Sequence, residues 1–205
     1  MGKLELQRCV LGTVFTNCYL VKNKETGELL IIDPADAPDK IFRKVSEMNG
    51  TPVGILLTHG HFDHILAVDA VKEKYGLKVY ACEQEQEMLR DPSLNISRNC
   101  SIKPDVLLKD LDVFEAAGFS IQMLHTPGHT PGSCCYYLKD EGVLFSGDTL
   151  FLCSVGRTDL PGGSTAEIVR SLHRLLESLP DDTEVYPGHD DSTTIGYEKR
   201  YNPFV

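Results

Sequence analysis

Thr58-His59-Gly60-His61-Phe62-Asp63-His64 stands directly after an apolar run, Val53-Gly54-Ile55-Leu56-Leu57. A short apolar run bounded by turn residues reads as a buried strand. Its end carries three of the seven histidines of the protein, with an aspartate among them. Core packing rarely calls for such crowding. Imidazole nitrogen and carboxylate oxygen both bind Zn²⁺, at about 2.0–2.2 Å. In extended backbone His59 and His61 point the same way, because side chains repeat with period 2, so they can share one ion. The chain turns at Asp63 and His64, which can face a second ion.

Three further strand ends deliver ligand-type residues. The strand over 119–124 leads into His125-Thr126-Pro127-Gly128-His129-Thr130-Pro131-Gly132. Its two Pro-Gly steps preform a tight loop. His129 is the ligand expected there, and His125 is expected to be structural or to support a ligand. The strand over 142–145 leads into Ser146-Gly147-Asp148-Thr149, whose carboxylate can bridge ions about 3.5–4 Å apart. The strand over 183–186 leads into Pro187-Gly188-His189. His59, His61 and His129 thus make one set, Asp63, His64 and His189 another, with Asp148 between them. Three protein ligands per ion leave positions open for water and substrate, as catalytic sites require. Asp33 either orients a ligand histidine or caps the next helix, and the sequence leaves both open.

The rest of the chain alternates strands and helices, which argues for one α/β domain over residues 1–205. Strands are expected at 4–11, 17–21, 28–32, 77–81 and 133–138, and helices at 39–48, 65–75, 83–90 and 164–179. Residues 91–109 show little periodicity and read as a surface excursion near the active-site mouth. His173, off the apolar face of the last of these helices, reads as solvated. The vicinal pair Cys134-Cys135 lies in a strand, where neighbours face opposite sides.

Composition narrows the function. The net charge is −10, hydrophobic residues make up 41% and charged residues 24%. An acidic chain without a Lys/Arg cluster is a poor nucleic-acid or membrane-surface binder. No run reaches the length needed to span a bilayer, and the polar N-terminus has no apolar signal core. Leu6 breaks the myristoylation pattern that Met1-Gly2 opens. Seven cysteines, with no C-x-x-C pair, fit reduced thiols in a cytoplasmic protein.

Taken together, T-H-x-H-x-D-H, the G-H-T loop, S-G-D-T and P-G-H resemble the metallo-β-lactamase superfamily of hydrolases, in that family's order and over nearly the whole chain. The resemblance implies a four-layer αββα sandwich with a two-metal site at one edge of the sheets. It implies His59, His61 and His129 on the first ion, Asp63, His64 and His189 on the second, and Asp148 bridging. Gly156-Arg157-Thr158-Asp159-Leu160-Pro161-Gly162-Gly163 and the tail Thr193-Thr194-Ile195-Gly196…Asn202-Pro203-Phe204 look like the short glyoxalase II-like branch. A chain ending at Val205 would lack the C-terminal helical domain with which full-length glyoxalase II enzymes bind glutathione. Asp190, where many relatives have Gly, and the Gly-Arg-Thr-Asp motif also occur in the related persulfide dioxygenases. Arg157 and Asp159 are expected to pair and hold a substrate loop.

The activity implied is hydrolysis of a small-molecule thioester such as S-2-hydroxyacyl-glutathione. Two ions, Zn²⁺ in the first instance and Fe²⁺ or Mn²⁺ as alternatives, would share a water and lower its pKa towards about 7. The resulting metal-bound hydroxide would attack the acyl carbonyl, with Asp63 orienting it and acting as the catalytic residue. The nearest rival is a mononuclear iron persulfide dioxygenase, followed by an ester or lactone hydrolase of the same superfamily. A β-lactamase is expected to carry an export signal, and a nuclease a basic surface. The oligomeric state is left open.

Overall fold

Alternation along the strands sorts apolar side chains onto two faces, and that sorting builds the layers. The computed structural model describes residues 2–97 and 99–205. Its first sheet runs β1 (Leu4–Leu11), β2 (Thr16–Asn23), β3 (Glu28–Ile32), β4 (Thr51–Leu56), β5 (Val79–Cys82) and β6 (Val106–Leu108), in spatial order equal to chain order. β1 to β3 form an antiparallel meander, and β3 to β6 are parallel. The parallel steps need crossovers. Helix α1 (Pro38–Glu47) supplies the first, α2 (Phe62–Ile65) with α3 (Val68–Tyr75) the second, and α4 (Gln86–Arg90) lies in the third.

Leu20, Leu29, Ile31, Ile55 and Val79 face these helices and pack against Ile41 and Val45 of α1 and Val68 and Val71 of α3. Residues of opposite parity, Tyr19, Val21, Leu30, Ile32 and Leu56, face the second sheet. That sheet contains β7 (Val113–Ala116), β8 (Phe119–His125), β9 (Cys134–Leu138), β10 (Val143–Gly147), β13 (Glu184–Pro187) and β14 (Thr193–Thr194), in the order β14-β13-β10-β9-β8-β7. Its inner residues Phe119, Ile121, Met123, Tyr136 and Phe145 close the core between the sheets. Its outer face, with Cys135, Leu144 and Val185, is covered by Leu172, Leu175 and Leu176 of α5 (Thr165–Ser178) and Ile195 of α6 (Ile195–Tyr201). The result is the expected αββα sandwich. A two-stranded ribbon, β11 (Leu150–Phe151) with β12 (Ser154–Val155), follows β10.

Two local expectations are revised. The helix expected over 65–75 is broken at Leu66-Ala67, because the Ala67 N–H donates to the Pro34 carbonyl at 3.0 Å instead of continuing the ladder. The one-turn α2 therefore carries Asp63 and His64. Residues 91–109 contain the edge strand β6, and a second edge strand, β7, also lacks a sequence signal. Both are short, as edge strands tend to be. Cys134 and Cys135 do face opposite sides, one between the sheets and one under α5. Among the described residues, no helix is long and apolar enough to cross a membrane.

The α5 layer supplies a test of these contacts. Leu172 is fully buried, so Leu172→Ala should lower stability by about 2–5 kcal/mol. Ser164 caps α5 by accepting from the Glu167 N–H, so Ser164→Ala should cost about 1 kcal/mol. Urea unfolding checks both, and equal costs would contradict the layer assignment.

Candidate metal centre

Every ligand-type motif named above lies at the end of a strand, and the two sheets bring those ends together. The ligand atoms of His59, His61 and His129 lie within 4.8 Å of one another. Their free nitrogens are set by what holds the other one. The Thr58 hydroxyl donates to Asp33 Oδ2 at 2.6 Å, so its oxygen accepts from His59 Nδ1–H at 3.1 Å. His129 Nδ1–H donates to the Arg157 carbonyl at 2.7 Å. Both rings therefore present Nε2 as a lone pair. His61 Nδ1 faces His129 Nε2 at 2.8 Å.

The ligand atoms of Asp63, His64 and His189 also lie within 4.8 Å of one another. His64 Nδ1–H donates to Asp33 Oδ2 at 2.9 Å, leaving Nε2 free, which is the outer-shell arrangement of ligating histidines. Asp148 sits between the sets. Its Oδ1 is 3.3 Å from His64 Nε2, and its Oδ2 is 3.4 Å from His129 Nε2 and 3.5 Å from His189 Nε2. Asp63 Oδ2 is 3.5 Å from His64 Nε2 and 3.3 Å from His189 Nε2. N–H···O bonds run at 2.7–3.2 Å. Two ligands on one tetrahedral ion with bonds near 2.0–2.1 Å stand about 3.3 Å apart. Gly188 makes this approach possible, since a Cβ there would lie 2.2 Å from Asp148 Oδ1.

The donor set fits two divalent ions on the evidence of its orphaned atoms. His59 Nε2, His61 Nε2, His64 Nε2 and Asp148 Oδ1 are buried with no hydrogen-bond partner. Burial, joined by neighbouring imidazoles, pushes His59 well below the usual histidine range and takes His61 down to about 3. Burial alone would raise Asp63 and Asp148, but facing His64 brings Asp148 down to about 2 and, with His189 and Thr16, holds Asp63 well below the carboxylate range. Asp33 also lies within ligand distance of His59 and His64. Its oxygens are already taken by the Thr58 N–H, the Thr58 hydroxyl and His64. Asp33 thus orients a histidine, and α1 begins instead at Ala37 with no side-chain cap.

The structure adds residues that carried no sequence signal beyond a strand. The Thr16 hydroxyl donates to Asp63 Oδ2 at 2.8 Å. Asn17 Nδ2 donates to the Pro187 and Asp190 carbonyls, both at 3.0 Å, and Tyr19 O–H to Pro187 O at 2.7 Å, so β2 fixes the loop that carries His189. Arg157 and Asp159 form a two-bond pair at 2.7 Å, beside an opening of about 180 Å³ over the cluster. A cleft of about 500 Å³ adjoins it at His189, walled by Val10, Val14, Phe15 and Leu152. His125 stands outside both sets and bonds the Pro131 carbonyl at 2.9 Å, while His173 is half-buried on α5.

These environments predict different proton linkage for the two sets. Burial works against a charge on His64, but Asp63, Asp148 and Asp33 outweigh it and raise its pKa well above the usual value; His189 is raised by Asp63 and Asp148 in the same way. Each must shed its proton to bind an ion, whereas His59 and His61 are already neutral. Lowering the pH should therefore weaken binding more steeply at the second set, where His64 and His189 lose protons to bind, than at the first. Competition titrations of metal-stripped protein check this, and equal slopes for the two ions would contradict it.

Comparison with known proteins agrees with this geometry. The profile of the metallo-beta-lactamase superfamily matches residues 11–189. The chain is 38% identical to the probable metallo-hydrolase YqgX of Bacillus subtilis, over 98% of each chain. It is 32% identical to the hydroxyacylglutathione hydrolase GloC of Haemophilus influenzae, over 92% of each. Among solved structures it resembles BLEG-1 B3 metallo-beta-lactamase (TM-score 0.92, 41% identity, 98% and 99% of the two chains). It also resembles TTHA1623 in a di-iron-bound form (0.84, 37%, 97% and 100%), and ETHE1 from Myxococcus xanthus (0.83, 31%, 97% and 83%). With these matches over nearly its full length, the chain belongs to the metallo-β-lactamase superfamily.

Proposed function

We propose that this protein is a metal-dependent thioester hydrolase acting on small acyl thioesters such as S-2-hydroxyacyl-glutathione. His59, His61 and His129 would hold one divalent ion, Asp63, His64 and His189 a second, and Asp148 both. The observation that carries the reading is the pair of three-residue sets meeting at one carboxylate beneath an open cleft. Likeness to the hydroxyacylglutathione hydrolase GloC supports the substrate class. Zn²⁺, Fe²⁺ and Mn²⁺ all suit this donor set, and the di-iron form of TTHA1623 supports iron as strongly as zinc. Seven free cysteines fit a reducing, cytoplasmic setting.

The two ions would supply a water acidic enough to ionise near neutral pH and a Lewis acid for the acyl oxygen. The chain's own residues do the rest. Thr16 and the second set engage Asp63 Oδ2. No described residue donates to its Oδ1, which is free to orient the nucleophile and take its proton. The apolar walls of the cleft seat the uncharged part of the substrate. A departing thiolate, of ordinary pKa about 8.5, needs little protonation. That suits an opening whose described lining residues include no neutral-range acid outside the ligand sets.

A second reading, β-lactam hydrolysis, is favoured by the 41% identity to BLEG-1. It would have to expel an amine, which asks for a proton donor. Mononuclear iron chemistry needs only two histidines and one carboxylate, fewer than the seven ligand-type residues gathered here.

Thiol release from S-lactoylglutathione by Zn²⁺- or Fe²⁺-loaded protein tests the proposal. Turnover should fall at least about a hundredfold in Asp63→Ala. Near-normal turnover in a folded, metal-loaded variant would overturn the role of Asp63. No thiol release, with nitrocefin opened or oxygen consumed on a persulfide, would replace the proposal by the corresponding rival.

A further inference from the structure

Glu85 is buried, belongs to neither ligand set and has no cationic partner among the described residues. Its carboxylate instead collects donors from the two loops that carry the first set. Oε1 accepts from the Gly60 N–H at 2.7 Å, between His59 and His61 in the chain. Oε2 accepts from the Thr130 hydroxyl at 3.0 Å and the Gly132 N–H at 2.8 Å, just after His129. Two glycines clear the approach. A Cβ on Gly132 would lie 2.3 Å from the Glu85 nitrogen, and one on Gly60 would lie 3.2 Å from Glu85 Oε1 and 2.9 Å from Met88 Cγ. Ser133 completes the network. Its Oγ accepts from the Thr130 N–H at 3.0 Å and lies 2.7 Å from Thr130 Oγ1. Thr130 has committed its hydroxyl hydrogen to Glu85, so Ser133 donates in that pair.

Only a group with acceptors at both ends satisfies three donors in this arrangement. An amide keeps one oxygen and turns an NH₂ towards the remaining donors. Burial pushes the Glu85 carboxyl up to about 7, against the pull of Thr130, Gly60 and Gly132. The Cys134 N–H bond to the Thr58 carbonyl at 2.9 Å also joins the two segments, and the Glu85 bonds lie beyond it in the chain, at Gly60, Thr130 and Gly132.

We infer that Glu85 is a positioning residue, joining the His59–His61 turn to the His129 loop so that the three imidazoles stay within reach of one ion. The inference rests on reading the histidine cluster as a metal site. Acting through backbone N–H groups and a hydroxyl, Glu85 sets loop separation and leaves the orientation of each ring to other partners. Its loss should therefore appear as weaker metal binding by a chain that still folds.

The test is Zn²⁺ titration of metal-stripped protein against a chromophoric chelator. It is run in a His189→Ala background, which weakens the second set and leaves the first to be read. In folded Glu85→Gln, shown by circular dichroism, first-set affinity should fall about 10–100-fold. Affinity within about threefold of the parent overturns the inference, because a purely structural carboxylate would change thermal stability and leave ion affinity in place. Should Glu85→Gln fail to fold, Thr130→Val decides. It keeps the carboxylate and removes one donor, and should weaken the same ion by at least about threefold, whereas unchanged affinity overturns the inference. A wild-type chain that binds no Zn²⁺, Fe²⁺ or Mn²⁺ refutes the metal reading itself, before any variant is compared.

Discussion

The Asp33 carboxylate turns strand geometry into ligand geometry. It follows β3, and its N–H donates to the Leu56 carbonyl of the neighbouring β4 at 3.0 Å. Its side chain then accepts the Thr58 N–H at 2.8 Å, the Thr58 hydroxyl at 2.6 Å and His64 Nδ1–H at 2.9 Å. The ladder between two parallel strands is thereby continued by a side chain into the first turn of α2. Thr58 passes the constraint on, since its oxygen fixes His59 Nδ1. One aspartate therefore sets the free nitrogen of a histidine in each ligand set. It does so from a left-handed backbone, φ 48°, a conformation that Asp tolerates better than most residues. Strain of this kind persists where surrounding contacts over-determine it.

The sequence showed the layers and the ligand-type residues because both follow short-range rules. Period-2 alternation sorted Leu20, Leu29 and Ile31 from Tyr19, Leu30 and Ile32. Histidine and aspartate at four strand ends stood out because nothing in packing explains them. The supporting residues obey no such local rule. Thr16, Asn17 and Tyr19 look like ordinary strand residues, and their partners lie between 47 and 173 residues away. Glu85 reads as part of a short acidic helix over 83–90 and is buried between loops. Asp33 was ambiguous because a cap and a histidine orienter need the same side chain at the same strand end. The edge strands β6 and β7 carry no sequence signal because three or four residues cannot establish a period.

Depth divides the site into two parts. The first set, with His64 and Asp148, lies against the strand ends and is almost wholly inaccessible. Asp63 and His189 are partly open, with side-chain exposures of 14% and 22%. Rigid elements thus fix one ligand set, while the other meets the cleft. The wall there is made by Val14 and Phe15 of the β1–β2 turn, where Phe15 is 71% exposed. Loops held by a rigid scaffold can vary in shape without moving the ligands beneath them. Relatives named for different activities can accordingly share these sheets, so the fold by itself does not choose among substrates.

Gathering these side chains has an energetic cost that bound metal would remove. Buried polar atoms without partners are unfavourable, and the site concentrates four of them. The carboxylates of Asp33, Asp63 and Asp148 gather part of the chain's net charge of −10 in one place, and in the metal-free protein His64, raised by them, offsets part of it. Metal binding would relieve both the unpartnered atoms and the local charge, so its free energy would also be folding free energy. The three apolar clusters must hold the chain folded until then. This explains why the ligands stand at strand ends. A cluster of this kind within a strand would interrupt the alternation that builds the layers, whereas at the ends it burdens only the loops.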